Sequence, residues 1–313
     1  MTRAFIVALA LAMLVPAVGR GFSPAAQAQT PRRSLAITID DLPSGGDRAG
    51  RTFDAVWSMN ERLLRPFKEG RIALTGFVNQ GRSAELGLDG VRRLLDLWLD
   101  AGADLGNHSH SHFNINDVPL ADYTADIVKG EPVLRAALAA RGMALRYFRH
   151  PFLFTGPTPE IKAGVQAFLD AHGYRVAPVT IDDADYMYAA LYTKPEFHAR
   201  VRKEYVPYME SVVAFFETRS VEVVGREFPQ ILLIHASQMN ADLMPDLLAM
   251  FRNRGYRFVT LDQALADPAY ALPETYVGRG GFSWIHRWSR AKGMPNKGEP
   301  DPPAWVTEGF AKR

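Results

Sequence analysis

Hydrophobic and polar positions change their period several times along the chain. Ser34-Leu-Ala-Ile-Thr-Ile-Asp40 is a short apolar run ending in two carboxylates, Asp40 and Asp41, and reads as a buried strand. From Thr52 to Glu69 the apolar residues Val56, Met59, Leu63, Leu64 and Phe67 recur at helical spacing, and Arg71–Val78 returns to strand character. The alternation continues with helix 89–101, strand 104–106, helix 121–141, strand 147–148, helix 159–172 and strand 175–180. A long helical segment, 196–218, precedes strand 230–235, helix 243–254 and strand 257–260. Strand–helix repetition over this length predicts an α/β fold with a parallel sheet, either open and doubly wound or closed into a (β/α) barrel. The chemically distinctive residues all fall where a strand ends. That is the rim on which barrels carry their chemistry, so the expectation is a single-domain, distorted (β/α) barrel of seven or eight strands.

The two ends of the chain depart from this pattern. Arg3 is followed by an apolar run from Ala4 to Val18 and by small residues ending Ala26-Gln27-Ala28, which predicts a secretory signal peptide over residues 1–28. A transmembrane anchor would need about 20 apolar residues, and Pro16, Gly19, Arg20 and Gly21 cut this run short. The mature chain is therefore expected to be periplasmic or secreted, with no transmembrane segment. The catalytic domain is expected over 29–267. Residues 268–313 are rich in Pro, Gly, Arg and Trp and have little periodicity; they are expected to be an irregular tail whose tryptophans pack it onto the domain.

Composition narrows the chemistry. The chain has no cysteine, which excludes disulfides, thiolate metal sites and cysteine nucleophiles, so a catalytic metal must use His and carboxylates. A net charge of +2 gives no reason to expect a nucleic-acid partner. Asn107-His108-Ser109-His110-Ser111-His112 puts three imidazoles within five positions at a strand end, a pattern that points to a metal because neutral imidazole is its commonest protein ligand. On a strand all three would share a face, and on a helical turn only His108 and His112 would. Gly106 and Asn107 suggest that the chain is already leaving the strand, which favours His108 and His112 with His110 turned away. The adjacent carboxylates Asp40 and Asp41 are the natural supply of a third ligand, and two His with one carboxylate describe a hydrolytic zinc or non-haem iron site.

Thr38-Ile-Asp40-Asp41-Leu-Pro43 resembles the Thr-Phe-Asp-Asp-Gly-Pro opening of the polysaccharide deacetylases (carbohydrate esterase family four, the NodB-homology domain), and His108-Ser-His-Ser-His112 resembles their His-Ser/Thr-x-x-x-His motif. Arg149-His-Pro-Phe152, Asp182-Asp-Ala-Asp185-Tyr186 and Leu233-Ile-His235 follow in the family's order, so the resemblance runs from Ser34 to about Leu265. It implies a metal, zinc before cobalt or nickel, on Asp41, His108 and His112. It also implies Asp40 as general base, Arg149 holding Asp40 ionised, and His235, oriented by Asp185, as the acid that protonates the leaving amine. The substrate pocket implied is Leu233, Tyr186, Phe152 and Leu42, where Leu42 stands in place of the family's Gly and Tyr186 in place of its Trp. The function implied is removal of N-acetyl groups from N-acetylhexosamine units of an envelope or extracellular glycan. The alternatives are an O-acetyl esterase or non-glycan amide hydrolase on the same site, and a catalytically silent glycan-binding module.

Overall fold

The computed structural model of the protein describes residues 33–45 and 51–312, together with Met1. The expected signal peptide and most of the loop after Ser44 lie outside the described residues. From Arg33 onward the chain forms one compact unit. Parallel strands β1 (Arg33–Leu42), β2 (Leu74–Val78), β3 (Asp104–Asn107), β4 (Tyr147–Phe148), β5 (Arg175–Val176) and β6 (Gln230–His235) lie in the order β5-β4-β3-β2-β1-β6. A last strand, β7 (Tyr256–Phe258), pairs with the first residues of β1. The sheet curls back on itself: beyond β5, Ile181 bridges to Leu232 on β6, so a distorted (β/α) barrel closes through one short contact.

Side-chain alternation sorts the two faces of this curl. Leu35, Ile37 and Ile39 of β1 face the helices, whereas Ala36 joins Phe77, Tyr147, Ala177 and Ile231 in a small inner cluster. Gly106 makes room there, because a Cβ on it would stand 2.4 Å from the Phe77 ring. The same face of β1 continues upward through Thr38 to Asp40, and that of β6 through Leu233 to His235. Strand period alone therefore carries apolar packing at the bottom into polar chemistry at the top.

The helices are α1 (Phe53–Gly70), α2 (Gly87–Asp100), α3 (Leu120–Lys129), α4 (Glu131–Ala139), α5 (Pro159–Ala171), α6 (Asp185–Tyr192), α7 (Pro195–Val224), α8 (Gln238–Asn253), α9 (Leu261–Leu265), α10 (Trp284–Ala291) and α11 (Ala304–Ala311). Among the described residues no helix is long and apolar enough to cross a membrane. Three differences from the sequence reading bear on the site. The single helix expected over 121–141 is two, α3 and α4, parted at Gly130 ahead of Pro132, which has no backbone donor to continue a helix. Gly130 also lets the histidine segment come close, since a Cβ there would lie 3.1 Å from the Ser109 carbonyl carbon. The strand expected over 175–180 keeps regular pairing only at 175–176, and α6, which the sequence reading lacked, begins at Asp185. In the C-terminal stretch the side chains of Trp284 and Trp288 are buried in the main core, on a helix, α10, that periodicity did not reveal.

Asn60 on α1 ties the chain just past the two aspartates to the helical layer. Its amide donates to the carbonyls of Pro43 (2.9 Å) and Val56 (2.8 Å), and its oxygen accepts from the Trp98 indole at 2.6 Å, all in a fully buried position. Asn60→Ala takes the side-chain partner from the Pro43 carbonyl and the buried Trp98 indole and should lower stability by about 2–4 kcal/mol. Urea unfolding checks this; a loss below about 0.5 kcal/mol, the scale of a neutral surface change, contradicts it.

Candidate active site

The site begins with a break in strand geometry. Alternation would turn Asp40 into the curl and Asp41 out toward the helices. Asp41 instead adopts φ 63°, in the left-handed region, and the β1–β2 register slips between Ile39↔Gly76 and Leu42↔Val78. One extra residue is thus inserted, as in a bulge, and both carboxylates reach the mouth. Two side chains just after β2 hold Asp41 in this uncommon conformation. Asn79 donates a short hydrogen bond to its Oδ1, and Arg82 lies 2.8 Å from its Oδ2.

The histidine segment is shaped in the same way. Ser109 and His112 have φ 62° and 58°, and the turn is closed by the Asn107 side chain accepting from Ser109 N–H and by Ser109 Oγ accepting from His112 N–H. His108 Nδ1 is 2.8 Å from the Arg149 carbonyl, which fixes that nitrogen as the proton carrier and turns Nε2 to the site. His108 Nε2 and His112 Nε2 stand 3.7 and 3.6 Å from Asp41 Oδ1. The ligand atoms of Asp41, His108 and His112 all lie within 4.8 Å of one another. His110 is outside this group, its ring beside Ser111 and Asp126. Burial pushes the His112 imidazole down to about 4 and that of His108 well below its ordinary value, so both are neutral, as metal ligands must be.

Asp40 Oδ2 is 3.4 Å from Arg149 Nη1 and 3.6 Å from His108 Nε2, and its Oδ1 is buried without a hydrogen-bond partner among the described residues. Arg149 is fully buried over the Phe77 ring, donating to Thr38 Oγ1 at 2.8 Å. The resemblance implied that Arg149 holds Asp40 ionised, and the guanidinium does pull its carboxyl down. In the structure burial outweighs the guanidinium and raises Asp40 to about 6. Asp41 goes the opposite way: burial raises it, but His112 and Arg82 pull it well below the usual range. Two adjacent carboxylates are thus driven apart.

Across the cavity, His235 Nδ1 is 2.7 Å from Asp185 Oδ1, and Asp185 Oδ2 accepts from the His235 backbone N–H and the Asn240 side-chain amide at 2.7 Å each. Burial disfavours the imidazolium, but the Asp185 charge and hydrogen bond overcome it and raise His235 to about 10. The cavity, about 560 Å³, is lined by Asp40, Asp41, His108, His112 and His235, with Leu233, Phe152 and Tyr186 among its walls. Leu42 is not among them. It is fully buried toward the helices against Gly76 and Trp98, because the residue after the bulge resumes the outward face of β1; its place in the substrate pocket is corrected on that ground. Sequence reasoning missed Asn79, Arg82 and Asn240, and gave no role to Asp182, which opens its motif and lines the cavity. The first two immediately follow the end of β2, and that rim position was the available signal.

The architecture is that of a distorted parallel (β/α) barrel with carboxylates and imidazoles gathered at one rim, among them a trio that could hold a metal ion. Residues 27–176 match the polysaccharide deacetylase family model, and this part of the chain belongs to that family. A chitin deacetylase from Colletotrichum lindemuthianum is 26% identical over 240 residues, covering 74% of this chain and 79% of that protein. The fold is similar to that of a polysaccharide deacetylase from Bacillus cereus, with TM-score 0.51 and 17% identity over 73% of this chain and 92% of that one. It is equally similar to that of a CE4 family pseudoenzyme from Bacillus anthracis, with TM-score 0.50 and 17% identity over 75% of this chain and 66% of that one. Fold likeness therefore does not carry activity; the site residues must.

The His235–Asp185 pair yields a direct test. NMR titration of the imidazole nitrogens in the metal-free protein should give His235 a midpoint of about 10, falling toward the ordinary histidine value in Asp185→Asn. Because the folded value lies above the unfolded one of about 6.5, the pair's contribution to stability is complete below that pH. It fades as the pH rises through about 10. A His235 midpoint indifferent to Asp185→Asn contradicts the assignment.

Proposed function

We propose that the protein is a metal-dependent hydrolase that removes N-acetyl groups from N-acetylhexosamine units of an envelope or extracellular glycan. The observation that carries this reading is the Asp41–His108–His112 trio facing Asp40 and His235–Asp185 across one cavity. Two neutral imidazoles and a carboxylate whose ionisation is favoured suit zinc, with cobalt or nickel as alternatives, and leave coordination positions open. Bound there, such an ion supplies a Lewis acid that polarises the acyl carbonyl and makes water more acidic.

The chain's own groups divide the proton transfers. Asp40, raised to about 6, is ionised near neutrality yet basic enough to take a proton from the attacking water, and its unpartnered Oδ1 is free to accept it. Arg149 lies against the other oxygen and fixes the carboxylate's orientation. His235, raised to about 10, is protonated at the same pH and can give its proton to the departing amine, which leaves poorly without one. Asp185 orients that imidazole and stabilises its charged form. Leu233 forms an apolar wall for the acetyl methyl, and the half-exposed rings of Phe152 and Tyr186 offer flat faces to a sugar. The predicted signal peptide agrees with a periplasmic or secreted site of action on such a glycan.

The zinc-loaded protein should release acetate from chitooligosaccharides or peptidoglycan fragments and leave acetylated xylan intact, as scored by mass spectrometry. Exhaustive chelation should abolish this, and His110→Ala should retain the bound metal that His112→Ala loses. Full activity after metal removal, or activity on xylan alone, contradicts the reading.

A further inference from the structure

The C-terminal segment lies beyond the part of the chain that matches the family model, yet Gly281 lines the site cavity. Residues 274–287 run over the loop that follows Arg149 and are fastened along its length. Lys162 Nζ, at the start of α5, donates to the Tyr276 carbonyl at 2.7 Å, Gly278 N–H donates to the Gly156 carbonyl at 3.2 Å, and Trp284 N–H donates to the Val179 carbonyl at 2.7 Å.

Two of these residues meet the loop where its backbone is unusual. Phe152 and Leu153 have φ 56° and 57°, so two bulky consecutive residues occupy the left-handed region that side chains of this size avoid. Such a conformation persists where its surroundings over-determine it. Arg287, fully buried, gives one guanidinium nitrogen to the Leu153 carbonyl and another to Thr155 Oγ1 at 2.8 Å, while its Nε donates to the Phe282 carbonyl at 3.0 Å. Its plane lies over the Trp284 ring, 4.5 Å from the centroid. Gly281 closes the other side, because a Cβ on it would stand 1.9 Å from the Phe152 carbonyl oxygen. What the kink positions is the Phe152 ring, half exposed at the cavity mouth and edge-on to His112 at 4.4 Å.

We propose that residues 274–287 are a strap that sets substrate specificity. Arg287 and Gly281 are positioning residues: they hold the left-handed kink at Phe152–Leu153 and so fix the aromatic wall against which a sugar ring of the substrate packs. The proposal rests on the deacetylase reading for its substrate. The state of the Phe152 ring can be read without one.

The test compares zinc-loaded wild type with Phe152→Ala, Gly281→Val, Arg287→Lys and the pair Gly281→Val with Phe152→Ala. KM and kcat are measured on a chitooligosaccharide beside zinc content. Arg287→Lys keeps the charge and loses the two-pronged donor. Each single change should raise KM about tenfold, the upper end of what one aromatic contact contributes, with kcat and zinc content little changed. The pair should be no worse than Phe152→Ala alone, since Gly281 acts through that ring. Effects of Gly281→Val that add to those of Phe152→Ala, or an unchanged KM in both strap variants, overturn the proposal. In parallel, fluorine NMR of 4-fluorophenylalanine placed at position 152 should show a shifted or broadened resonance in Arg287→Lys and Gly281→Val. If the wild type releases no acetate, the deacetylase reading fails on its own and this resonance decides the strap; a resonance unmoved in both variants sinks it.

Discussion

Everything chemical in this protein depends on one interruption of strand geometry. Successive residues of a strand face opposite ways, so Asp40 and Asp41 could not serve one site while β1 stayed regular. The left-handed turn at Asp41 and the register slip beside it break that rule for a single residue, after which Leu42 returns to the helical layer. Asn79, Arg82 and Asn60 each hold part of the irregular segment, and each comes from a different place in the chain than the motif they support. Left-handed residues recur in the histidine turn, at Ser109 and His112, and in the loop after Arg149, at Phe152 and Leu153. The sheet supplies a rigid base, and the chemistry is aimed by its departures from regularity.

The regular parts were legible from sequence and the irregular parts were not. Periodicity located β4 and β6 to the residue because each is an apolar run with clear punctuation on both sides. It joined α3 to α4, since the apolar spacing continues across Gly130 and period alone does not register a proline beyond it. It missed α6, which follows a run of acidic residues, and α10, whose burial depends on contacts distant in sequence. The motif residues converge on one cavity as their strand-end positions implied. Leu42 does not: its motif position placed it in the pocket, but past the bulge at Asp41 it resumes the outward face of β1. Arg82, Asn79 and Asn240 carry no motif and became visible only through what they touch.

Burial acts on all of these groups, and the charges and hydrogen bonds around each explain why identical side chains behave differently here. Asp40 has one cation against one oxygen and an unpartnered, desolvated second oxygen, and its proton affinity rises; Asp41 is surrounded by donors and imidazoles, and its affinity falls. His235 gains a carboxylate at hydrogen-bond distance while His108 and His112 gain mainly desolvation, which separates one charged imidazole from two neutral ones. These contrasts are properties of the side chains, not of the fold, which the protein shares with an enzyme and with a pseudoenzyme alike.

The central claim is that two adjacent aspartates of identical chemistry do different work, one as a ligand and one as a base. Metal content by plasma spectrometry, measured beside the initial rate of acetate release for Asp40→Asn and Asp41→Asn, tests it most directly. Asp41→Asn should lose its metal and its activity together. Asp40→Asn should keep wild-type metal and lose a factor of about 10²–10⁴ in turnover, the usual contribution of a general base. Metal lost from Asp40→Asn and retained in Asp41→Asn would exchange the roles, and metal and activity retained in both would make the pair structural.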